Sequence, residues 1–390
     1  MDCREKFREI YGKDRESEAF CPYRVCPVGA HIDHQLGKIT GFAIDKGITI
    51  AYTPREDGVV ELSSLNFEGT RSFNVNDVPK TSQRDWADHL RGAAVALAKR
   101  HPLSVGLSGV FEGSLPVGGL SSSAAVIISF LKALCSVNGI TLTPHEMILT
   151  AQQAENEYVG VSCGKLDQSC EVLCRKGQLL YLDTKDDSFE LLPKQDGMKP
   201  FKIAVFFSGL ERSLVGQKYN MRVDEVKSAA YALLAYAGMD YGKFGETFMR
   251  NVPEELFTRY GDRLPEPWRR RAAHYFGEMR RVEEAVAAWR RGDISAFGRI
   301  STESGRSSIE LWETGSEELK AMYEIMTETD GIYGGRFSGA GFKGCCMAVI
   351  DPAFEESVCQ LVTEKYRRRF PALADKYRCC VCDTADGALN

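Results

Sequence analysis

Leu115-Pro116-Val117-Gly118-Gly119-Leu120-Ser121-Ser122-Ser123-Ala124-Ala125 joins a strand-like run to an apolar helical one. Upstream, Leu107-Ser108-Gly109-Val110-Phe111-Glu112 reads as a strand weakened by its glycine. Downstream, Ser122 to Val137 reads as a buried helix. Glycines let a backbone approach an anion, consecutive N–H groups can point at it, and a helix N-terminus adds partial positive charge. The serine hydroxyls can donate to phosphate oxygens or ligate Mg²⁺. The plainer reading is a glycine turn followed by a serine helix cap. Three serines exceed what one cap needs, so the stretch is read as a phosphate cradle. It lacks Gly-x-x-x-x-Gly-Lys-Ser/Thr and is therefore not a P-loop.

On either side the chain mixes strands and helices. Gly47-Ile48-Thr49-Ile50-Ala51-Tyr52 and Gly58-Val59-Val60-Glu61-Leu62 are rich in β-branched residues between turn formers and read as strands. Thr143-Pro144-His145-Glu146 offers a cap, a proline at the first helical position and a glutamate three residues after the cap. The helix it starts is expected to run to about Tyr158. Ile148, Ala151, Glu155 and Tyr158 share one face of that helix, which sets a carboxylate on a largely apolar stripe. A buried carboxylate needs a cation or several donors. Mg²⁺ is one solution, and a salt bridge to a neighbouring Arg or Lys is the other. Asp167 follows Gly164-Lys165 and starts a short helical pattern. There it is either a dipole partner or a group that orients and deprotonates a hydroxyl.

Polar residues from Lys194 to Pro200 precede a new strand at Ile203-Ala204-Val205-Phe206-Phe207, which puts a domain boundary near residue 196 and domains at 1–196 and 197–390. Helical stretches follow at Ser228 to Ala237 and Arg269 to Arg291. Without steady βαβ alternation the class is α+β. Gly339-Ala340-Gly341-Phe342-Lys343-Gly344 matches the dinucleotide fingerprint by letters, but the strand-like Cys346-Met347-Ala348-Val349-Ile350 follows where a helix is needed. It reads instead as a tight turn that approaches the ligand or the first loop. Arg269-Arg270-Arg271 and Arg367-Arg368-Arg369 read as solvated helix faces.

At 390 residues, 44% hydrophobic and 26% charged, the chain has an ordinary globular balance with room for two domains. A net charge of -5 gives no electrostatic case for nucleic acid. No apolar run is long enough to span a bilayer, and Met1-Asp2-Cys3-Arg4-Glu5-Lys6 lacks a signal-peptide core, so the expected location is cytoplasmic. Most of the 13 cysteines sit in apolar company and read as small core residues. Cys379-Cys380-Val381-Cys382 lacks a second ligand pair at zinc spacing. Arg24-Val25-Cys26-Pro27-Val28-Gly29-Ala30-His31-Ile32-Asp33-His34 is dense in polar groups. His-x-Asp-His could bind metal, but no partner pair is evident among six histidines. His31 and Asp33 suit the paired hydroxyls of a sugar, and Arg24 suits phosphoryl charge or the task of holding Asp167 ionised.

Taken in order, Arg24 to Asp33, Pro116 to Ala125 and Gly335-Arg336-Phe337-Ser338-Gly339-Ala340-Gly341-Phe342 resemble the motifs of the GHMP kinases, and within them the galactokinase branch. Gln152 to Gln168 and Trp86-Ala87-Asp88-His89-Leu90-Arg91-Gly92 are similar to further segments of that branch. The resemblance runs from about Pro22 to Ala388. It implies a two-domain α+β kinase that uses ATP and Mg²⁺ in a cleft between an N-terminal domain of the ribosomal-protein-like kind and a C-terminal GHMP domain. It implies Asp167 as the catalytic carboxylate and Arg24 as its charged partner. Pro116, Gly118, Gly119, Leu120, Ser121, Ser122, Ser123 and Ala124 would hold the nucleotide, and Ser123 and Glu155 the metal. His31, Asp33, Gly164 and Tyr219 would face the sugar.

One departure bears on the substrate. Galactokinases place glutamate, facing the sugar C6 hydroxyl, where this chain has Ala30. A C6 carboxylate would be repelled by glutamate and not by alanine. The loop Pro116 to Ser121 is also one residue shorter than the usual galactokinase form. Cys26-Pro27, Ala30 to His34 and Arg336 to Phe342 look like the galacturonokinase subgroup. The expected reaction is therefore transfer of the ATP γ-phosphoryl to the anomeric hydroxyl of D-galacturonate. Arg212, Lys218 and Arg222 are candidates for the substrate carboxylate's partner. The alternatives are a galactokinase or another neutral-sugar kinase such as an arabinokinase, and a catalytically silent sugar sensor.

Overall fold

The computed structural model describes residues 2–210 and 215–389. Within these residues the first sheet contains β1 (Ser17–Val25), β2 (Lys38–Arg55), β3 (Val59–Ser64), β4 (Arg71–Asn74), β5 (Gly106–Gly113), β6 (Gln178–Asp183) and β7 (Phe189–Pro193). The path runs β4-β3-β5-β2-β6-β7, with β1 also paired to β2. Only β3 and β5 pair in parallel. The long β2 is the organiser: its first residues pair with β6, its middle with β1 and its end with β5.

The second sheet contains β8 (Lys202–Phe207), β9 (Ile332–Phe337), β10 (Cys345–Ile350) and β11 (Arg378–Cys382) in the order β11-β8-β10-β9, all antiparallel. A final short strand, β12 (Thr384–Ala385), returns to pair with Ala43 and Ile44 of β2, and Ala388 joins the main core.

The helices are α1 (Cys3–Tyr11), α2 (Asp88–Ala98), α3 (Ser122–Val137), α4 (Pro144–Gln153), α5 (Leu166–Leu173), α6 (Val215–Tyr236), α7 (Glu254–Tyr260), α8 (Glu266–Arg290), α9 (Ile294–Glu310), α10 (Glu317–Thr327) and α11 (Glu355–Arg369). The α4 start follows its sequence: Thr143 Oγ1 accepts from the Glu146 N–H at 3.2 Å, and the Thr143 N–H donates back to Glu146 Oε2 at 2.8 Å. The helix continues past Gln153 as one π-helical turn, Ala154–Val159, so Glu155 sits in a locally wider turn than ideal periodicity gives. Such turns are common at functional sites.

The strand period of two divides the second sheet cleanly. Ile203, Val205 and Phe207 of β8, with Cys345, Met347 and Val349 of β10, face a core shared with the first sheet, α2, α3 and α4. The alternate residues Ala204, Phe206, Cys346, Ala348 and Ile350 pack with residues of α10 and α11. One continuous apolar core thus reaches both sheets. A third cluster gathers α6, α7 and α8 around Trp312 and Ile32.

One basic triplet departs from the expected solvated face. Arg269 is exposed and Arg270 half-buried, but Arg271 is wholly buried. Its Nε donates to Glu225 at 2.7 Å, and its other nitrogens bond the Leu311 carbonyl and Glu313. Helical rotation turns Arg271 inward, where Glu225 of α6 and Glu313 beyond α9 offset the burial of its charge. Arg367, Arg368 and Arg369 are exposed. Cys163, Cys359, Cys379 and Cys380 are half-buried and the other cysteines buried, all as free thiols.

Candidate active site

Two cavities meet at the phosphate loop. The larger, about 920 Å³, is walled by Phe67, Trp86, Phe111 and Val126 from the first half of the chain, and by Phe207, Lys376 and Arg378 from the second. The smaller, about 350 Å³, is lined by Arg24, Ala30, His31, Asp33, Glu155, Gly164, Asp167 and Tyr219, among others. Val117, Ser123 and Gly344 line both, so the loop forms the passage between them.

The loop's side chains divide by task. Leu120 and Ala124 are buried in the core and anchor the turn. Pro116 and Ser122 face the larger cavity, Gly118, Gly119 and Ser121 the smaller, and Ser123 both. Ser121 adopts φ 57, in the left-handed region, and its buried Oγ has no partner among the described residues. The second glycine turn closes over this loop. A Cβ on Gly119 would lie 2.5 Å from Cys345 Sγ, and one on Gly344 would lie 2.8 Å from the Gly118 carbonyl carbon. Contacts that short admit only glycine at both positions.

Strand β1 carries Arg24 into the cleft, and the first turn of α5 presents Asp167 to it. Arg24 Nε and Nη2 donate to Asp167 Oδ1 at 2.8 and 2.6 Å, while Nη1 reaches Ser338 Oγ at 3.3 Å. Arg24 is buried, and burial opposed by the Asp167 charge leaves its pKa raised. Asp33 Oδ2 accepts from the Leu166 N–H at 3.1 Å. A Cβ on Gly164 would stand 2.3 Å from that same carboxylate oxygen, so the glycine permits the close approach of Asp33 to the start of α5. The buried Glu155 accepts hydrogen bonds from Gln168 Nε2 and Cys163 Sγ.

His31 holds φ 65, a strained conformation of the kind that accumulates at functional sites. Its ring stacks on Trp312 with centroids 5.4 Å apart, and its Nε2 has no partner among the described residues. His34 and His274 also pack on Trp312, and His34 meets Tyr219 edge-on. His274 Nε2 lies 3.1 Å from the Ala30 carbonyl and Nδ1 2.8 Å from Ser307 Oγ. A carbonyl only accepts, so Nε2 carries the proton. Sequence reading did not find Trp312, His34 or His274 as site supports. Trp312 and His274 come from distant segments, where aromatic residues at helical spacing look like ordinary core, whereas His34 lies beside His31 in a His-x-Asp-His pattern that reads as a metal question rather than as a support. Of the proposed partners for a substrate carboxylate, Arg212 lies outside the described residues. Lys218 is exposed, and Arg222 pairs with Glu225 at 3.0 Å and Glu313 at 3.6 Å; neither lines the smaller cavity.

These histidines set an acid limit on stability. Burial is the main cause that lowers His34 to about 3, His274 to about 4 and His31 well below its ordinary range. A histidine depressed on folding contributes stability that is complete above its unfolded value of 6.5 and is lost as pH falls. Asp33 acts in the opposite sense: burial, then the Asp167 charge, raises it to about 6, so protonation favours the folded state as pH drops through 6. Each site changes stability by about 1.4 kcal/mol per pH unit, and Glu171, raised by its burial, acts with Asp33, so three histidines outweigh two carboxyls by about one site. Thermal melts are expected to show a net loss of about 1.4 kcal/mol per pH unit below about pH 6. His274→Gln should flatten that slope, and a midpoint that stays constant down to about pH 4.5 would contradict neutral buried histidines.

The comparisons with known proteins follow the same lines. The GHMP kinases N terminal domain model matches residues 88–175 and the GHMP kinases C terminal model residues 283–368. The galactokinase galactose-binding signature matches residues 5–54. Galacturonokinase from Arabidopsis thaliana is 36% identical over 411 residues, covering 99% of this chain and 96% of that protein. Galactokinase from a Roseiflexus species is 30% identical over 388 residues, covering 99% and 96%. The crystal structure of Lactococcus lactis galactokinase complexed with galactose matches with a TM-score of 0.88 at 26% identity, over 98% of this chain and 97% of that one.

Two GHMP domains and relatives matched end to end place the chain in the GHMP kinase family. It is a phosphotransferase that uses ATP. More narrowly, it is a sugar 1-kinase of the galactokinase and galacturonokinase type. Among the described residues no helix is long and apolar enough to cross a membrane.

Proposed function

We propose that this kinase phosphorylates the anomeric hydroxyl of D-galacturonate to give galacturonate 1-phosphate. The observation that carries the reading is Ala30. It is buried at the wall of the smaller cavity, at the position where the galactokinase pattern has a glutamate facing the sugar's C6 group. A methyl there leaves a C6 carboxylate unopposed. The higher identity to a galacturonokinase than to a galactokinase over the same share of this chain supports it.

The nucleotide base takes the larger, aromatic-walled cavity, and its phosphates run along the Gly118 to Ser123 loop into the smaller one. Residues 1–196 and 197–390 are read as the two domains that flank this cleft. Asp167 orients the anomeric hydroxyl and accepts its proton as the oxygen attacks the γ-phosphorus in line. Arg24 holds Asp167 in place and favours its ionised form. His31, Asp33, Gly164 and Tyr219 bind the sugar. The residues fit Mg²⁺: Glu155 is one buried carboxylate lining the same cavity as Ser123, and no group of three His, Cys, Asp or Glu that could hold a metal is found among the described residues. Mg²⁺ takes one or two carboxylates and completes its shell with phosphate oxygens and water. Bound there, it would neutralise phosphate charge.

A sugar panel with an ADP-coupled readout, and phosphorus NMR of the product, tests the reading. The expected result is ADP release with galacturonate and a new anomeric phosphate. Release only with galactose or arabinose points to a neutral-sugar kinase, and no release with any sugar to a silent sensor.

A further inference from the structure

The second glycine turn carries a cation that lines the smaller cavity. We propose that Lys343 is a further catalytic residue, whose ammonium group binds the γ-phosphoryl of ATP and carries part of its charge during transfer. Lys343 is half-buried and lines the smaller cavity. Its neighbour Gly344 lies against the phosphate loop, with a Cβ built on Gly118 only 3.2 Å from the Gly344 Cα. At the other end of the turn, a Cβ on Gly339 would sit 3.0 Å from the Gly119 carbonyl oxygen. The backbone that carries Lys343 is therefore pinned to the two glycines that approach the phosphates.

Charge accounting points the same way. The described carboxylates lining this cavity are Asp33, Glu155 and Asp167, and its Arg and Lys side chains are Arg24 and Lys343. Arg24 gives two donors to Asp167. Lys343 is the second Arg or Lys side chain lining the cavity that an incoming phosphoryl group would enter. Phosphoryl transfer is accelerated chiefly by fixed positive charge around the transferring group. In this step the bond from phosphorus to the β–γ bridging oxygen breaks and ADP leaves with that electron pair. The bond from the anomeric oxygen to phosphorus forms, and the hydroxyl proton goes to Asp167. Lys343 contributes charge and exchanges no proton. A role in reading the sugar's carboxylate is the competing use of the same side chain. The pinned position beside Gly118 favours the phosphoryl.

The catalytic part rests on the sugar-kinase reading, and the test keeps the two separable. Affinities of the full chain for AMP-PNP and ADP, each with Mg²⁺, need no sugar turnover. In Lys343→Met the AMP-PNP Kd is expected to rise about tenfold and the ADP Kd to stay within about twofold, because only AMP-PNP carries the γ group. Turnover should fall about ten- to a hundredfold on whichever sugar the wild type accepts, with partial recovery in Lys343→Arg. Equal weakening of both nucleotides, or unchanged binding of both, overturns the proposal. So does a loss confined to galacturonate with galactose turnover and AMP-PNP affinity intact, which would assign Lys343 to the carboxylate. If the wild type phosphorylates no sugar, the function reading fails while the nucleotide arm still decides the role of Lys343.

Discussion

Asp167→Asn is expected to lower turnover by about three orders of magnitude while leaving ATP affinity within about twofold. Asparagine keeps the size of the side chain, and it can still accept a hydrogen bond from Arg24. What it loses is the negative charge and the proton acceptor. The buried Arg24 guanidinium now makes two of its bonds to one Asp167 oxygen. In the variant that guanidinium faces a neutral amide, and part of the loss comes from this uncompensated charge. The α5 turn should survive, because its start is also held by the Leu166 N–H to Asp33 bond. Equilibrium binding of a nucleotide analogue, beside single-turnover rates, separates chemistry from binding. Turnover near the wild-type value would remove Asp167 from the mechanism.

Ala30→Glu should reverse substrate preference. Two like charges about 4 Å apart cost roughly 1 kcal/mol in water and about 4 kcal/mol at an effective dielectric near 20. The second value applies better to a buried wall. The range corresponds to about five-fold to a thousand-fold in affinity against a uronate. The same glutamate supplies an acceptor for a neutral sugar's C6 hydroxyl, so galactose turnover should rise. Ala30→Gln is the control: it adds nearly equal bulk without charge, and should impair galacturonate far less than glutamate does. If both variants behave alike, volume rather than charge sets the preference.

Much of this site was legible in the sequence where chemistry and local structure coincide. The loop Leu115 to Ala125 announced a strand-to-helix junction, and β5 and α3 flank it. The cap at Thr143 announced α4, and its apolar face announced a buried Glu155. The π-helical turn around Glu155 was not legible, because it widens a helix without changing the residue types that favour one. Arg271 was misjudged since a run of three arginines hides which one faces inward, and only the carboxylates of Glu225 and Glu313, distant in sequence, reveal it. The stack of His31, His34 and His274 on Trp312 depends on tertiary packing of segments some 280 residues apart. The return of β12 to β2 rests on two paired residues, too few for any periodicity.

A direct competition tests the central claim: equimolar galacturonate and galactose, limiting ATP, and the two 1-phosphates quantified by NMR. Galacturonate 1-phosphate is expected to be the major product. An excess of galactose 1-phosphate would contradict it.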